Sequence, residues 1–519
     1  MDGDPNVTAK GTKALEEWAR AGETGALKLR DPSKLPEWAS GLWRMLDHIT
    51  RSTPPQEGSL AQRLVSTVIE YGRSELQRRL EQRDISPFAV RILRRFENQL
   101  ENRLTQTMRP CLDLELKVFE AAFRCVFHAQ GEISRNQIER EFIGENTKDK
   151  LIWLLQRYPV LAKLWSQLIE NWAEKIKELA CRLNADRPAI QQTFFHGRNP
   201  EDLIDITMDI SDPHHGGRET MILRFRKGHV VYKPRSGQSE RDWFSLVGWI
   251  NRQGFIPHLR ILGLLRRRDY CWMEFVEHLP CRSKSDAQHY FRRAGGLLCV
   301  AYLLDAIDCH RDNLIAEGVQ PVLIDTETFL HPKAGFSPHE KSDSMSRTGL
   351  LPIPRSLSGS CTDISAFGGA PGKHTPTLKG KHLAASSYSV DVLRGFRDMW
   401  KLIGEPRTKT RAAFRRRLRR LSDKPWRRIH RSTRSYFEIR DRSLHPNALR
   451  SGLERSRSMA LDLLRRGLSA HVIIEEISAL RSFDIPHFVA PPGESPSGAD
   501  SLMLSDLIRR IRSALQRRN

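Results

Sequence analysis

The 519-residue sequence predicts an α+β protein. Three observations carry that expectation. From about residue 60 to 195, apolar residues recur every three or four positions, which is helical periodicity. From about residue 203 the pattern shortens into strand-like runs bounded by turn residues. Beyond them, the apolar run Leu297 to Leu304 leads into a polar loop with Asp308, His310 and Asn313, then into Pro321 to Ile324 and two carboxylates, Asp325 and Glu327. On this reading residues 1–199 are a helical N-terminal region. A two-lobed core follows, with an N-lobe over 200–280 and a C-lobe over 281–519 that carries long loops and added C-terminal helices.

Composition sets the bounds. Hydrophobic residues make up 39% and charged residues 28% of the chain, as in a surface-rich globular protein. The formal net charge of +22 favours acidic partners such as a nucleotide, an acidic peptide, nucleic acid or an anionic membrane; solvated arginine faces are the plain alternative. The start, Met1-Asp2-Gly3-Asp4-Pro5, lacks the basic and apolar regions of a secretory signal. No apolar run approaches the ~18 residues a membrane span needs. The eight cysteines (Cys111, Cys125, Cys181, Cys271, Cys281, Cys299, Cys309, Cys361) are scattered, with no Cys-x-x-Cys pair. A zinc site therefore has no support, and a reducing cytoplasm is the expected compartment.

Along the chain, residues 1–59 read as a lead-in: a short helical stretch around Trp18, then breaks at Asp31-Pro32 and at Ser52-Thr53-Pro54-Pro55. In the helical region, Leu161, Leu164, Trp165, Leu168, Ile169, Trp172, Ile176 and Leu179 draw one apolar stripe, expected to be core. Pro188 and Gly197 to Pro200 are expected to end that region. Strands are expected over Leu203–Ile210, Met221–Arg226, His229–Lys233 and Cys271–Val276. Between the first two lies Ser211-Asp212-Pro213-His214-His215-Gly216-Gly217-Arg218. Glycine amides in such a loop can approach phosphates, and Lys233 on a nearby strand can reach them; an ordinary hairpin and a solvated lysine are the plain readings.

Order decides between these readings. A phosphate loop, a lysine strand, a loop with Asp308 and Asn313, and Asp325 after a strand follow the sequence of parts in a kinase, though without His-Arg-Asp or Asp-Phe-Gly. Asp308 can accept a hydroxyl proton, and Asn313 and Asp325 can hold magnesium against nucleotide phosphates. The Cys271–Val276 strand would then be the hinge between the lobes. Residues 333–390 are rich in Gly, Ser and Pro and read as long loops beside the site or as an inert insert. Residues 391–420 return to helix and end in Arg415 to Arg420, a run suited to an acidic peptide or nucleic acid, or simply solvated. The last helix, Leu502 to Leu515, is amphipathic and basic.

The quoted motifs carry a family resemblance. Tyr232-Lys233-Pro234-Arg235, Asp308 to Gly318, Asp325-Thr326-Glu327-Thr328, Ser211-Asp212-Pro213-His214, Arg427 to Tyr436, Tyr158 to Leu161 and Asp484 to Phe488 together resemble the dehydratase domain of class II (LanM-type) lanthipeptide synthetases, from about residue 90 to the end. The resemblance implies a lipid-kinase-like fold with added helices. It implies ATP and Mg2+ as cofactors, used to phosphorylate Ser and Thr of a precursor peptide with a leader, followed by phosphate elimination to dehydroamino acids. By that resemblance Asp308 activates the hydroxyl, Asn313 and Asp325 ligate magnesium with Glu327 beside them, and Lys233 contacts phosphates. Asp212, His214, His310, Arg427 and Thr433 match positions tied to phosphorylation or elimination, with Arg427 the natural anion holder and His310 a proton carrier.

Two departures stand out. Asp312 replaces the usual Glu in the loop motif. The sequence also ends without the zinc-dependent cyclase part of such synthetases, so dehydration without ring closure is expected, with a separate cyclase as a second candidate partner. The competing readings are a peptide or small-molecule kinase without elimination, and an inactive scaffold that binds the leader. Nucleic acid is not an expected partner.

Overall fold

The computed structural model describes residues 37–53, 57–83, 88–126, 134–144, 146–331, 345–352, 363–406, 408–465, 468–490 and 503–516. The stretch around Trp18, the breaks at Asp31-Pro32 and Pro54-Pro55, Cys361, Leu502, and residues 332–344 and 353–362 of the Gly/Ser/Pro-rich segment lie outside the described residues. The chain divides into two compact units. The first comprises the residues up to Pro188, Glu201–Arg226 and Ser432–Pro486; the second comprises Ala189–Pro200, Lys227–Arg431 and the residues from His487 onward. Helices predominate, with small antiparallel strand ladders, which is an α+β protein.

In chain order the helices begin with α1 (Glu37–Arg51), α2 (Leu60–Glu81), α3 (Val90–Val126), α4 (Arg135–Ile143), α5 (Thr147–Arg157) and α6 (Pro159–Phe194). Their starts are written locally. Ser59 and Gln62 form a reciprocal capping box on α2, and Ser134 and Asn146 cap α4 and α5. Pro159 is the first residue of α6, where its missing N–H has no helical partner to lose. The motif Tyr158 to Leu161 therefore straddles a break between helices, and Tyr158 donates its hydroxyl to Glu115 Oε1 at 2.6 Å.

The expected stripe on α6 is core. All eight of its residues are buried, as are Phe96, Leu100, Leu104 and Met108 at four-residue spacing on α3. The two indoles also reach polar partners there: Trp165 donates to Thr107 Oγ1 and Trp172 to the Phe96 carbonyl, both at 2.9 Å. Pro188 does not end α6, which runs on to Phe194. A helix loses one hydrogen bond at such a proline, and here Leu183 before it and Ile190 after it are both buried. The first unit continues with β1 (Leu203–Thr207), antiparallel to β2 (Met221–Phe225). β1 stops three residues before the expected end because Asp209 takes a left-handed backbone (φ 57°) and donates its N–H to the Glu219 carboxylate instead of to a strand.

In the second unit β3 (Gly228–Lys233) is followed by α7 (Gln238–Arg252), β4 (Leu264–Arg266) and β5 (Cys271–Glu274), and β5 lies between β3 and β4. Next come α8 (Lys284–Leu303), the hairpin β6 (Leu314–Glu317) and β7 (Gln320–Leu323), the short pair β8 (Thr377–Leu378) and β9 (Lys381–His382), and α9 (Ser389–Met399). The expected 391–420 helix is two helices. A π turn at Trp400–Gly404 separates α9 from α10 (Lys409–Ser422). After β10 (Arg427–Arg428), the chain contributes α11 (Thr433–Arg442), α12 (Pro446–Arg450), α13 (Gly452–Leu464) and α14 (Ala470–Arg481) to the first unit. It closes with β11 (Phe488–Val489), paired with β10, and α15 (Leu504–Gln516). No helix among the described residues is long and apolar enough to cross a membrane.

The α8–α9 contact positions the loop after α8. A Cβ on Gly295 would overlap the Val392 carbonyl of α9, and one on Gly395 would overlap the Arg292 carbonyl of α8. The helices meet backbone to backbone, with no flexible side chain to yield. Gly395→Ala should therefore destabilise the second unit by about 1–3 kcal/mol or more, read as a lower urea midpoint. A variant with an unchanged midpoint would show that the helices separate without cost.

Candidate active site

The loop after α8 is held by the segment after β7. Ile307 donates its N–H to the Thr328 carbonyl at 3.2 Å, Thr328 Oγ1 donates back to the Ile307 carbonyl at 2.7 Å, and Leu330 N–H reaches the Leu304 carbonyl at 2.8 Å. Asp308 follows with a left-handed backbone (φ 65°), a conformation that a non-glycine residue adopts only when its surroundings enforce it. Asn313 closes the loop: its Nδ2 donates to the Asp308 carbonyl at 2.8 Å, and its own carbonyl accepts from Ile324 N–H at 3.0 Å. With Nδ2 so engaged, Oδ1 is the acceptor atom of that side chain. His310 Nε2 lies 3.0 Å from Asp308 Oδ1. Burial works against a charge on His310, but the Asp308 hydrogen bond and the Asp308 and Asp312 charges outweigh it and raise its pKa above the ordinary value.

Opposite charges close in from β3. Lys233 ends β3 and Arg235 follows two residues later in a bend, and both side chains reach Glu240. Lys233 is buried and donates to Glu240 Oε1 at 2.9 Å and to the Ile324 carbonyl at 2.6 Å. Arg235 reaches Glu240 at 2.6 Å, Asp325 Oδ1 at 2.9 Å and Glu327 Oε2 at 3.2 Å. Arg427, on β10, pairs its Nη1 with Glu327 Oε1 and donates its backbone N–H to the Glu327 carbonyl at 2.9 Å. His487 Nε2 stands 4.0 Å from Glu327 Oε2.

The two carboxylates split in behaviour. Burial would raise the Glu327 pKa, but Arg235, the His487 hydrogen bond and Arg427 hold it well below the usual range. For Asp325, burial and the Glu327 charge prevail over Arg235 and Lys233 and push it up. A carboxylate held against its own ionisation is what a divalent cation would relieve. Among the described residues, no group of three or more His, Cys, Asp or Glu side chains forms a metal site. Asn313 Oδ1 and the Asp325 carboxylate are oxygen donors of the kind magnesium takes, in a shell that otherwise keeps several waters and phosphate oxygens.

A second cluster lies in the first unit, on the loop between β1 and β2. Its neck is a buried ion pair: Lys175 Nζ to Glu219 Oε1 at 2.8 Å, with Gln99 bridging Glu219 and Asp209 at 2.8 and 2.7 Å. At its tip, His214 and Arg218 exchange backbone hydrogen bonds around His215-Gly216-Gly217. Thr433, at the start of α11, donates Oγ1 to Asp212 Oδ2 at 2.7 Å. The glycine amides meet a carboxylate of this chain: Gly216 N–H donates to Asp484 Oδ2 at 2.6 Å and Gly217 N–H to Oδ1 at 2.8 Å.

Of the expected residues, Lys233, Asp308, His310, Asn313, Asp325, Glu327 and Arg427 join one network in the second unit, and Asp212, His214 and Thr433 share the first. Arg235, Asp484 and His487 stand within the motifs quoted for the resemblance but had no role assigned, and Glu240 was not singled out. A signal existed for Glu240, the one acidic residue in the first turn of the helix that follows Lys233.

The Asp325 shift has a testable sign. Its raised pKa means the folded state favours the neutral form, so ionisation at neutral pH costs stability. That cost fades as pH falls through the folded pKa. Asp325→Asn should gain roughly 0.5–1 kcal/mol at pH 7, limited by the solvent reaching the side chain, and the gain should vanish in acid. Urea titrations at both pH values check it; a loss at pH 7 would mean that the Arg235 contact dominates.

Comparison with known proteins follows this geometry. The family described as "Domain of unknown function (DUF4135)" matches residues 158–377 and 370–491. The chain is also 23% identical over 338 residues to the lacticin 481/lactococcin biosynthesis protein LcnDR2 of Lactococcus lactis subsp. lactis, covering 54% of this chain and 35% of that protein. The match thus spans about a third of the relative's length. With most of its length inside the family match, including Asp212, His214, Lys233, Asp308, Asn313, Asp325, Arg427 and Thr433, the chain belongs to the DUF4135 family.

Proposed function

We propose that this chain modifies a ribosomally made peptide in lanthipeptide biosynthesis, phosphorylating Ser and Thr hydroxyls with ATP and then eliminating phosphate. One observation carries the reading. A continuous set of contacts links Lys233 to Ile324, Ile324 to Asn313 and Asn313 to Asp308, and Arg427 to Glu327 two residues past Asp325. A phosphoryl-transfer site needs such a base, such cation ligands and such fixed positive charge together. The match to a protein named for lacticin 481 biosynthesis supports a peptide as the substrate.

Asp308 accepts the proton of the attacking hydroxyl, with His310 fixing its carboxylate. Asn313 Oδ1 and Asp325 would hold magnesium, which would supply positive charge to neutralise phosphate oxygens. Lys233 keeps its ammonium beside that position through Glu240. Hydroxide leaves carbon poorly and phosphate leaves well, so phosphorylation prepares the elimination. Arg427, whose guanidinium stays charged, adds fixed positive charge to the phosphoryl-transfer site. The Asp212–Thr433 pair and His214 serve the elimination half.

The test is incubation with ATP, magnesium and a Ser/Thr-rich precursor peptide, followed by mass spectrometry. The wild-type chain should remove one water per modified residue. Asp308→Asn should lower both phosphorylation and dehydration by about a hundredfold or more. Thr433→Ala should leave phosphopeptide to accumulate. Stable phosphopeptide from the wild-type chain would reduce the protein to a kinase, and absence of ATP turnover would make it a binding scaffold.

A further inference from the structure

The segment after α14 straps the His214 loop. Phe483 has a left-handed backbone (φ 67°), and the next two residues make four hydrogen bonds to residues 213–217. Two are the Gly216 and Gly217 amides on the Asp484 carboxylate. Consecutive left-handed glycines (φ 85° and 74°) turn two N–H groups to one side, the nest that elsewhere holds an anion. The third is Ile485 N–H to the Pro213 carbonyl at 2.8 Å. The fourth joins His214 Nδ1 to the Ile485 carbonyl at 2.7 Å.

The last contact assigns a proton. A carbonyl oxygen only accepts, so Nδ1 carries the hydrogen, and in the neutral ring Nε2 is the proton-accepting nitrogen. We propose that Asp484 is a positioning residue: its carboxylate in the Gly216–Gly217 nest holds the loop so that the Ile485 carbonyl fixes the Nδ1–H tautomer of His214 and leaves Nε2 as the base of the elimination. The inference rests on the proposed function above. In the step, the Cα–H bond of the phosphorylated residue breaks and its proton goes to Nε2. The electron pair forms the Cα=Cβ bond, and the Cβ–O bond breaks with its pair leaving on phosphate.

Nothing about holding the fold alone requires an acid here. Asp484 is buried, and burial pushes its carboxyl up while the two amides pull it back. Asn in its place accepts from one amide and turns an N–H donor toward the other, with almost no change of shape.

The test is Asp484→Asn in the full chain, with phosphorylation and elimination timed separately on the same precursor. Phosphorylation should stay within about twofold and elimination should slow by about tenfold or more, so that phosphopeptide accumulates. Elimination at the wild-type rate overturns the proposal, as does an equal loss of both steps. A second measurement needs no functional variant: the ring nitrogen shifts of 15N-labelled wild-type protein, with the His214 signals assigned by their loss in His214→Gln. A neutral Nδ1–H ring is expected, and the Nε2–H tautomer overturns the strap. Failure of the functional reading is seen separately, in wild-type protein that never yields dehydrated peptide, and the tautomer then still decides the strap.

Discussion

Glu327 is the charge on which the second unit's site depends. It is held ionised by Arg235, His487 and Arg427, and burial together with its charge raises the Asp325 pKa beside it. Without it, Arg427 would keep a backbone bond to that segment but lose its carboxylate partner. Arg235 would still bridge Glu240 and Asp325. Buried ion pairs of this kind add little net stability, because desolvation offsets the attraction. What they supply is position. The network fixes where Lys233, Arg235 and Arg427 stand relative to Glu240, Asp325 and Glu327.

The first unit solves a different problem with similar means. A long loop between two strands has to be held in one shape while carrying Asp212 and His214. The Lys175–Glu219 pair closes its neck, Arg218 reaches Glu178 on α6 at 2.5 Å, and Asp484 occupies its glycine nest. Glycine is required at the tip because both residues there lie in the left-handed region. The amides that looked available to a phosphate are already bonded within the chain. The loop's chemical interest therefore shifts from its backbone to the His214 ring and to the Asp212–Thr433 pair.

The helical periodicity was legible in the sequence, and so were β1, β2, β3, β5 and β7; the two- to four-residue strands β4, β6 and β8 to β11 are too short to carry a pattern. The α6 stripe and the strand runs are local features. Each can be read where side-chain spacing matches a helix turn or a strand pleat. Small misreadings were equally physical. Pro188 stays inside a helix flanked by buried side chains on both sides, β1 is cut short by the Asp209 backbone, and Gly404 to Pro406 divides a run that periodicity had joined.

Sequence alone determined which chemistry was available: a carboxylate and an amide five residues apart, two carboxylates after a strand, and a lysine at the end of another. Tertiary structure decided which of them share a charge network and how each is tuned. Glu327 and Asp325 are near-identical as letters, yet one is held ionised and the other is pushed toward neutrality. That difference comes from Arg235, His487 and Arg427 around Glu327, which lie far from it along the chain and near it in space, and from burial and the Glu327 charge at Asp325. Coulombic forces act over ångströms rather than over sequence separation, so no local pattern could have announced it.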